Sequence, residues 1–265
     1  MRLRITLAAI LFAGLVQASF AGIVTNGSFA ISGTVYVTDI TGRVTPAGTC
    51  AAGSQCIFWQ SGATTTLLRA DISTSGLPSG SGVGLIPTSI AGNDAAILTN
   101  LSNPPNLVDG VGFTDQTFLT FNPATGSGIT TALMLNFIAA GIYSPAACSA
   151  NPALAAVGQV CTLPGSLFNF VNNPGLQATA TWVFDGVTSG NPNPQEIWTG
   201  NLSSQFSFPF QTVLANLSAN GYVSNTYSGT ITLGPNPAPE PGSLIMIGTG
   251  MIGLAVLLRR RRAAK

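Results

Sequence analysis

Histidine is absent from the 265 residues, and charged side chains make up only 6% of them. Without imidazole there is no Ser-His-Asp or Cys-His nucleophile, no His-ligated zinc or iron, and no ordinary general base near neutral pH. Lysine occurs once, at Lys265, which removes Schiff-base and Ser-Lys chemistry from everything before it. Most enzyme mechanisms are excluded by these two shortages alone. Where a typical chain carries ~25% charge, this one carries Gly, Ser, Thr, Asn and Ala, so hydroxyl and amide groups must keep it in water.

The small net charge hides a segregation. Seven of the nine basic residues lie at the ends, namely Arg2, Arg4, Arg259, Arg260, Arg261, Arg262 and Lys265. Between Gly22 and Ala238, Arg43 and Arg69 face seven acids: Asp39, Asp71, Asp94, Asp109, Asp115, Asp185 and Glu196. Binding phosphates requires clustered Lys and Arg, so nucleic acid is not an expected partner.

The N-terminus has the three parts of a Sec signal peptide: Met1-Arg2-Leu3-Arg4, an apolar run from Ile5 to Val16, and small residues before Gly22. Ser19 and Ala21 suit a signal-peptidase site after residue 21, and Val16 with Ala18 offer an alternative. At the other end, prolines alternate through Pro235-Asn236-Pro237-Ala238-Pro239-Glu240-Pro241 and hold the chain extended. Residues 242–258 then run uncharged, 17 residues at the lower bound for crossing a ~30 Å hydrocarbon core. Arg259 to Arg262 form a cationic stop, which the positive-inside rule keeps cytoplasmic. The expected organisation is a signal peptide (1–21), a β-rich extracytoplasmic domain (22–234), a Pro-rich spacer (235–241), a transmembrane helix (242–258) and an Arg-rich tail (259–265).

Pro239-Glu240-Pro241, a Gly-containing apolar segment and Arg259-Arg260-Arg261-Arg262, in that order, resemble the tripartite PEP-CTERM sorting signal. The resemblance covers the last thirty or so residues and implies processing near the PEP motif by a membrane-embedded exosortase. It also implies a Gram-negative-type bacterium that makes exopolysaccharide or biofilm matrix. On that reading the partners are the Sec translocon and signal peptidase, the inner membrane before processing, the exosortase, and exopolysaccharide. The destination is the cell surface or extracellular matrix.

Between the ends, period-2 alternation dominates. Phe29, Ile31, Val35 and Val37 alternate with Ser and Thr through Ser28 to Thr38, and similar patterns occur at Phe206, Phe208 and Phe210 and at Tyr227, Gly229, Ile231 and Leu233. Val111 to Phe121, Ile129 to Phe137 and Gln177 to Phe184 are further strand candidates. Asn122-Pro123-Ala124-Thr125-Gly126 would turn a hairpin between the first two of these. Thr212 to Asn220 reads as a short helix ended by Gly221. Ser73 to Pro105 reads as a long loop with room for a strand near Ile86 or Ile97. These patterns predict an all-β fold, a β-sandwich or jelly-roll-like domain with one short helix.

Cys50, Cys56, Cys148 and Cys161 all lie in the exported region, where disulfides are favoured. Three pairings are possible. Cys50 with Cys56 and Cys148 with Cys161 are favoured, since each pair would clip one loop dense in Ala, Gly and Pro. A four-thiolate metal site would want CxxC pairs, which are missing.

Two further groupings carry chemistry. Asp109 and Asp115, with Asp39 or Asp94, could supply oxygen ligands to calcium, although solvated turn-forming Asp is the favoured reading. Trp182, Trp198, Asp185 and Glu196 could form an aromatic platform beside acids for carbohydrate, or a carboxylate pair for glycoside hydrolysis. The competing reading makes both tryptophans core residues of adjacent strands. The leading expectation is a non-enzymatic envelope or matrix protein, with a carbohydrate-binding module as the alternative and a glycoside hydrolase after it.

Overall fold

A run that alternates apolar and hydroxyl side chains becomes a strand with one buried face, and this chain is built from such runs. The structure, a computed structural model, describes residues 27–39, 41–62, 64–73, 92–103, 109–121, 132–189 and 197–234. The signal segment, the Pro-rich spacer, the apolar segment 242–258, the Arg tail, Glu196 and most of the 73–105 stretch up to residue 91 lie outside the described residues.

The first half holds β1 (Gly27–Thr38), β2 (Val44–Thr45), β3 (Gly48–Thr49), β4 (Gln55–Gln60), β5 (Arg69–Ser73), β6 (Gly92–Leu98) and β7 (Leu101–Asn103). It is followed by β8 (Gln116–Phe121), β9 (Ala132–Ile138), 3-10 turns at Pro145–Ala147 and Pro152–Leu154, β10 (Val160–Cys161) and β11 (Asn169–Asn173). The chain then forms β12 (Gln177–Ser189), β13 (Ile197–Phe206), the helix α1 (Phe210–Asn220) and β14 (Tyr222–Gly234).

Eight strands close into an antiparallel barrel, in the order β12, β13, β14, β1, β5, β6, β8, β9 and back to β12. The sandwich or jelly-roll expectation is therefore corrected within a correct all-β class. Alternation announces one buried face per strand, and both architectures supply that. What separates them here is the pairing of β9 with β12, from Ala132↔Ser189 to Ile138↔Phe184, which closes the eight-strand ring. An eight-stranded interior is just wide enough to be filled by side chains or to hold one small ligand.

Two long strands each serve two neighbours along one edge. β1 pairs with β5 through Ala30, Ile31 and Ser32, then with β4 from Thr34 to Val37. β12 pairs with β11 from Gln177 to Thr181, then with β9 from Phe184 onward. At these handovers the wall branches, with β4 and β7 on one side and β11 and β10 on the other. A glycine marks each branching strand where backbones crowd. A Cβ on Gly33 would collide with the Gln60 carbonyl oxygen, and one on Gly186 with the Met134 carbonyl oxygen across the closing seam.

The barrel centre is an aromatic plug. Trp59, Phe118, Phe184 and Tyr227 pack edge to face with ring centroids 5.1–6.4 Å apart, and Trp198 stacks on Phe118 at 5.6 Å. Both indole N–H groups in this plug are bonded, Trp59 Nε1 donating to Thr99 O (3.1 Å) and Trp198 Nε1 to Met134 O (3.0 Å). Outside the wall a small second cluster, Ala47, Cys50, Cys56 and Phe58, lies under the β2–β3 hairpin, so β4 buries both faces.

Several local expectations hold, and others shift. β8 and β9 are a hairpin as predicted. The helix begins two residues earlier than expected and ends at Gly221, whose φ of 76° is the left-handed cap conformation. The Phe206, Phe208, Phe210 strand is corrected: β13 stops at Phe206, and Phe210 opens α1 after Pro209, whose missing N–H cannot continue a ladder. Val111 to Asp115 precede β8 as coil, and the expected loop contains β6 and β7.

Candidate functional site

Trp182 and Trp198 stand on adjacent strands, yet each is only 1% exposed. Neither presents a face on which a sugar ring could stack from solvent. Asp185 is half-buried, and its carboxylate accepts a 2.6 Å bond from Thr199 Oγ1, its direct cross-strand partner. Glu196 lies outside the described residues, so the acid pair is not assembled here.

The four acids considered for calcium are dispersed. Asp39 accepts from Thr41 N and Oγ1 and lies 4.0 Å from Arg43, Asp115 accepts from Asn136 Nδ2, and Asp94 accepts from Thr64 Oγ1. Asp109 borders the cavity described below. Among the described residues no three His, Cys, Asp or Glu side chains gather in a metal-binding group.

The two disulfides are Cys50–Cys56 and Cys148–Cys161, the favoured pairing of the three. Both sit on the branch segments. One ties the β2–β3 hairpin to the start of β4, and the other ties the 3-10 turn at Pro145–Ala147 to β10.

The branching opens the wall, and a cavity of about 80 Å³ occupies that end of the barrel. Its lining comes from the last part of β1 (Val35, Val37), from β4 and β7, from the segment between β10 and β11, and from α1. The walls are aliphatic and aromatic, as ligand cavities generally are. No Lys or Arg lines it, and Asp109 is its one charged residue.

α1 spans this end because a buried polar network pins it. Pro209 offers no side-chain cap, so Asn172 Oδ1 on β11 accepts from Phe210 N at 2.9 Å. Asn172 Nδ2 donates to Gln211 Oε1 (2.9 Å), and Gln211 Nε2 donates to Gln159 Oε1 (2.6 Å). Asn172 and Gln211 are both 1% exposed, so their amides are satisfied by one another rather than by solvent. Val213, Leu214 and Leu217 of α1 then face the cavity.

Polar groups on the cavity wall are mostly consumed by the fold. Ser204 Oγ donates to Thr226 O, Asn225 Nδ2 donates to Gln205 O, Thr38 Oγ1 accepts from Cys56 N, and Ser166 Oγ accepts from Phe168 N. Trp182 differs. Its Nε1 is buried and has no acceptor, a state that ordinarily costs on the order of 1–3 kcal/mol. Tyr227 Oη in the plug is also buried without a partner, and its phenol pKa is pushed far above the ordinary value, first by burial and then by the charge of Asp71.

The comparisons with known proteins bear on the other end of the chain. Residues 237–262 match the family model of the PEP-CTERM protein-sorting motif. The chain carries a PEP-CTERM sorting motif. No curated protein and no solved structure matches it. A PEP-CTERM motif indicates sorting to the cell exterior at a membrane by an exosortase-type enzyme, and two intact disulfides are consistent with an oxidising destination.

Sequence reasoning found the sorting motif and the cysteine pairs but missed the cavity. Phe168 and Phe170 alternate with Asn169, a strand signal that identifies β11. No sequence signal shows that this strand, β7 and α1 converge on one space.

Proposed function

We propose that this chain is a non-enzymatic cell-envelope or matrix-associated protein of a Gram-negative-type bacterium. It is exported by Sec, held by its C-terminal apolar segment, and released to the surface by an exosortase that acts near Pro239-Glu240-Pro241. The match of residues 237–262 to the sorting motif carries this reading. The disulfides and the lack of histidine support it from the side of the domain. The test is the intact mass of the protein recovered from its own host, reduced and non-reduced. Loss of residues 1–21 and of those beyond the PEP region, with two disulfides present, is the expected result. A chain still ending at Lys265 would overturn processing and favour a permanently anchored protein.

A carbohydrate platform at Trp182 and Trp198 is less well supported, since both indoles are buried. Hydrolysis by Asp185 with Glu196 has no geometric support among the described residues.

A further inference from the structure

We propose that the groove between α1 and the start of β14 binds a ring of a neutral oligosaccharide, held by two phenylalanine rings and by amide and hydroxyl side chains. The groove has a volume of about 250 Å³, close to the ~300 Å³ lower end of small-molecule sites, and suits a sugar ring rather than a long chain. Phe206 and Phe208, with ring centroids 5.8 Å apart and planes inclined at 47°, line it together with Asn216, Asn220, Tyr222 and Ser224. Unlike the buried tryptophans, these groups can be reached from solvent. Asn220 and Ser224 are exposed, and Asn216, Tyr222 and both phenylalanines are half-buried.

The fold brings the polar groups together and holds them there. Asn216 and Asn220 are four residues apart, on one face of the last turns of α1. Tyr222 and Ser224 alternate on β14 and so share a face of that strand. Gly221 joins the two elements in a single residue, because its left-handed φ of 76° lets the chain leave the helix and enter the strand at once. Its carbonyl accepts from Asp39 N at 2.9 Å, which fixes this corner to the residue after β1. The other end of α1 is pinned by the Asn172–Gln211–Gln159 network. With both ends of the helix fixed, binding requires little new ordering of the walls.

The lining selects the ligand class. None of its residues is charged, so nothing there would compensate an anion or a cation for lost water. Arg43, packed against Gly221, already has Asp39 4.0 Å away. An aliphatic chain would cover four polar side chains without bonding them. A sugar ring meets both kinds of group: its hydroxyls donate and accept as amides and hydroxyls do, and its C–H faces lie on aromatic rings. The side chains of Asn216, Asn220, Tyr222 and Ser224 make no hydrogen bond to another described residue, so their donors and acceptors are open to a ligand. On the neighbouring cavity wall, by contrast, the Ser204, Asn225 and Thr38 side chains are bonded within the fold.

The site lies within residues 206–224 and is separate from the Trp182 and Trp198 platform. It does not depend on the sorting reading. An uncleaved C-terminus would overturn that reading and leave this one standing.

The test is calorimetric titration of the full-length chain, in a detergent without a sugar headgroup. The probes are cellohexaose, maltohexaose, mannohexaose and xylohexaose, with hexagalacturonate as the charged counterpart. Saturable binding of a neutral hexamer, one per chain, is expected, with shifts in the amide NMR signals of residues 216–224. Asn216→Ala combined with Asn220→Ala should weaken that binding about tenfold while thermal unfolding stays cooperative, since neither side chain is bonded within the described fold. Phe208→Leu keeps apolar bulk but removes a ring, and should weaken binding about fivefold. No saturable binding of any neutral hexamer by the folded chain would overturn the proposal. So would hexagalacturonate binding more tightly than the neutral hexamers, shifts confined to another part of the chain, or binding unchanged in the folded double variant.

Discussion

The two ends of the barrel are held by different means. Where β1 pairs with β5 and β12 with β9, the ladder is continuous around the circumference, and the lumen is filled by Phe29, Trp198 and the plug rings. Where these strands turn to β4 and β11, the wall is branched, and both disulfides and the Asn172–Gln211–Gln159 network are found there. The difference shows what closure contributes. A closed ring of strands needs only packing to fix its interior, whereas an opened ring loses strand partners and depends on covalent ties and side-chain bonds. The cavity exists because that substitution is made with space left over.

The largest expected effect tests the closed end. Trp198→Ala removes the stack on Phe118 and the bond to Met134 O, and should cost about 3–5 kcal/mol in chemical denaturation. Leu217→Ala, half-buried beside existing space, should cost only about 1 kcal/mol. Equal losses would mean that the two ends are packed alike and the comparison is wrong.

Removing Cys148–Cys161 by a double Ala substitution should cost about 3 kcal/mol, the chain-entropy value for a loop of this length. Hydrogen exchange should then accelerate in β10, β11 and α1 while β13 and β14 stay protected. Uniform acceleration would show that the branch and the ring unfold as one unit.

The smallest effect has the opposite sign. Tyr227 Oη is buried without a partner, so Tyr227→Phe should be neutral or stabilise by up to about 1 kcal/mol. Because the folded-state phenol pKa is raised, the stability linked to it is fully present below the unfolded pKa of about 10 and falls as pH rises above that value. Denaturation midpoints above pH 10 should fall for the native chain and fall less for Tyr227→Phe. Parallel falls would place the alkaline sensitivity elsewhere.

Much of this protein is determined locally and is legible from residue order. Alternation at Phe29, Ile31 and Val35 commits Ser28 to Thr38 to a strand, because one face of apolar groups has to leave water together. Gly221 ends the helix because only a residue without a Cβ takes its backbone angles cheaply. Cysteines 6 and 13 residues apart clip their own loops, since short loops close at small entropic cost. The tail motif is linear and needs no fold to be recognised.

Tertiary structure decided everything that depends on residues far apart meeting. Barrel closure rests on β9 finding β12, and no local pattern distinguishes that pairing from a second stacked sheet. The helix starts at Phe210 rather than at the expected Thr212, behind a Pro209 that offers no cap, because Asn172, 38 residues earlier than Phe210, supplies the acceptor. Trp182 and Trp198 look equivalent in the sequence, and only their surroundings separate them. Trp198 finds a carbonyl across the closing seam, while Trp182 comes to rest against a cavity with its N–H still unpaired.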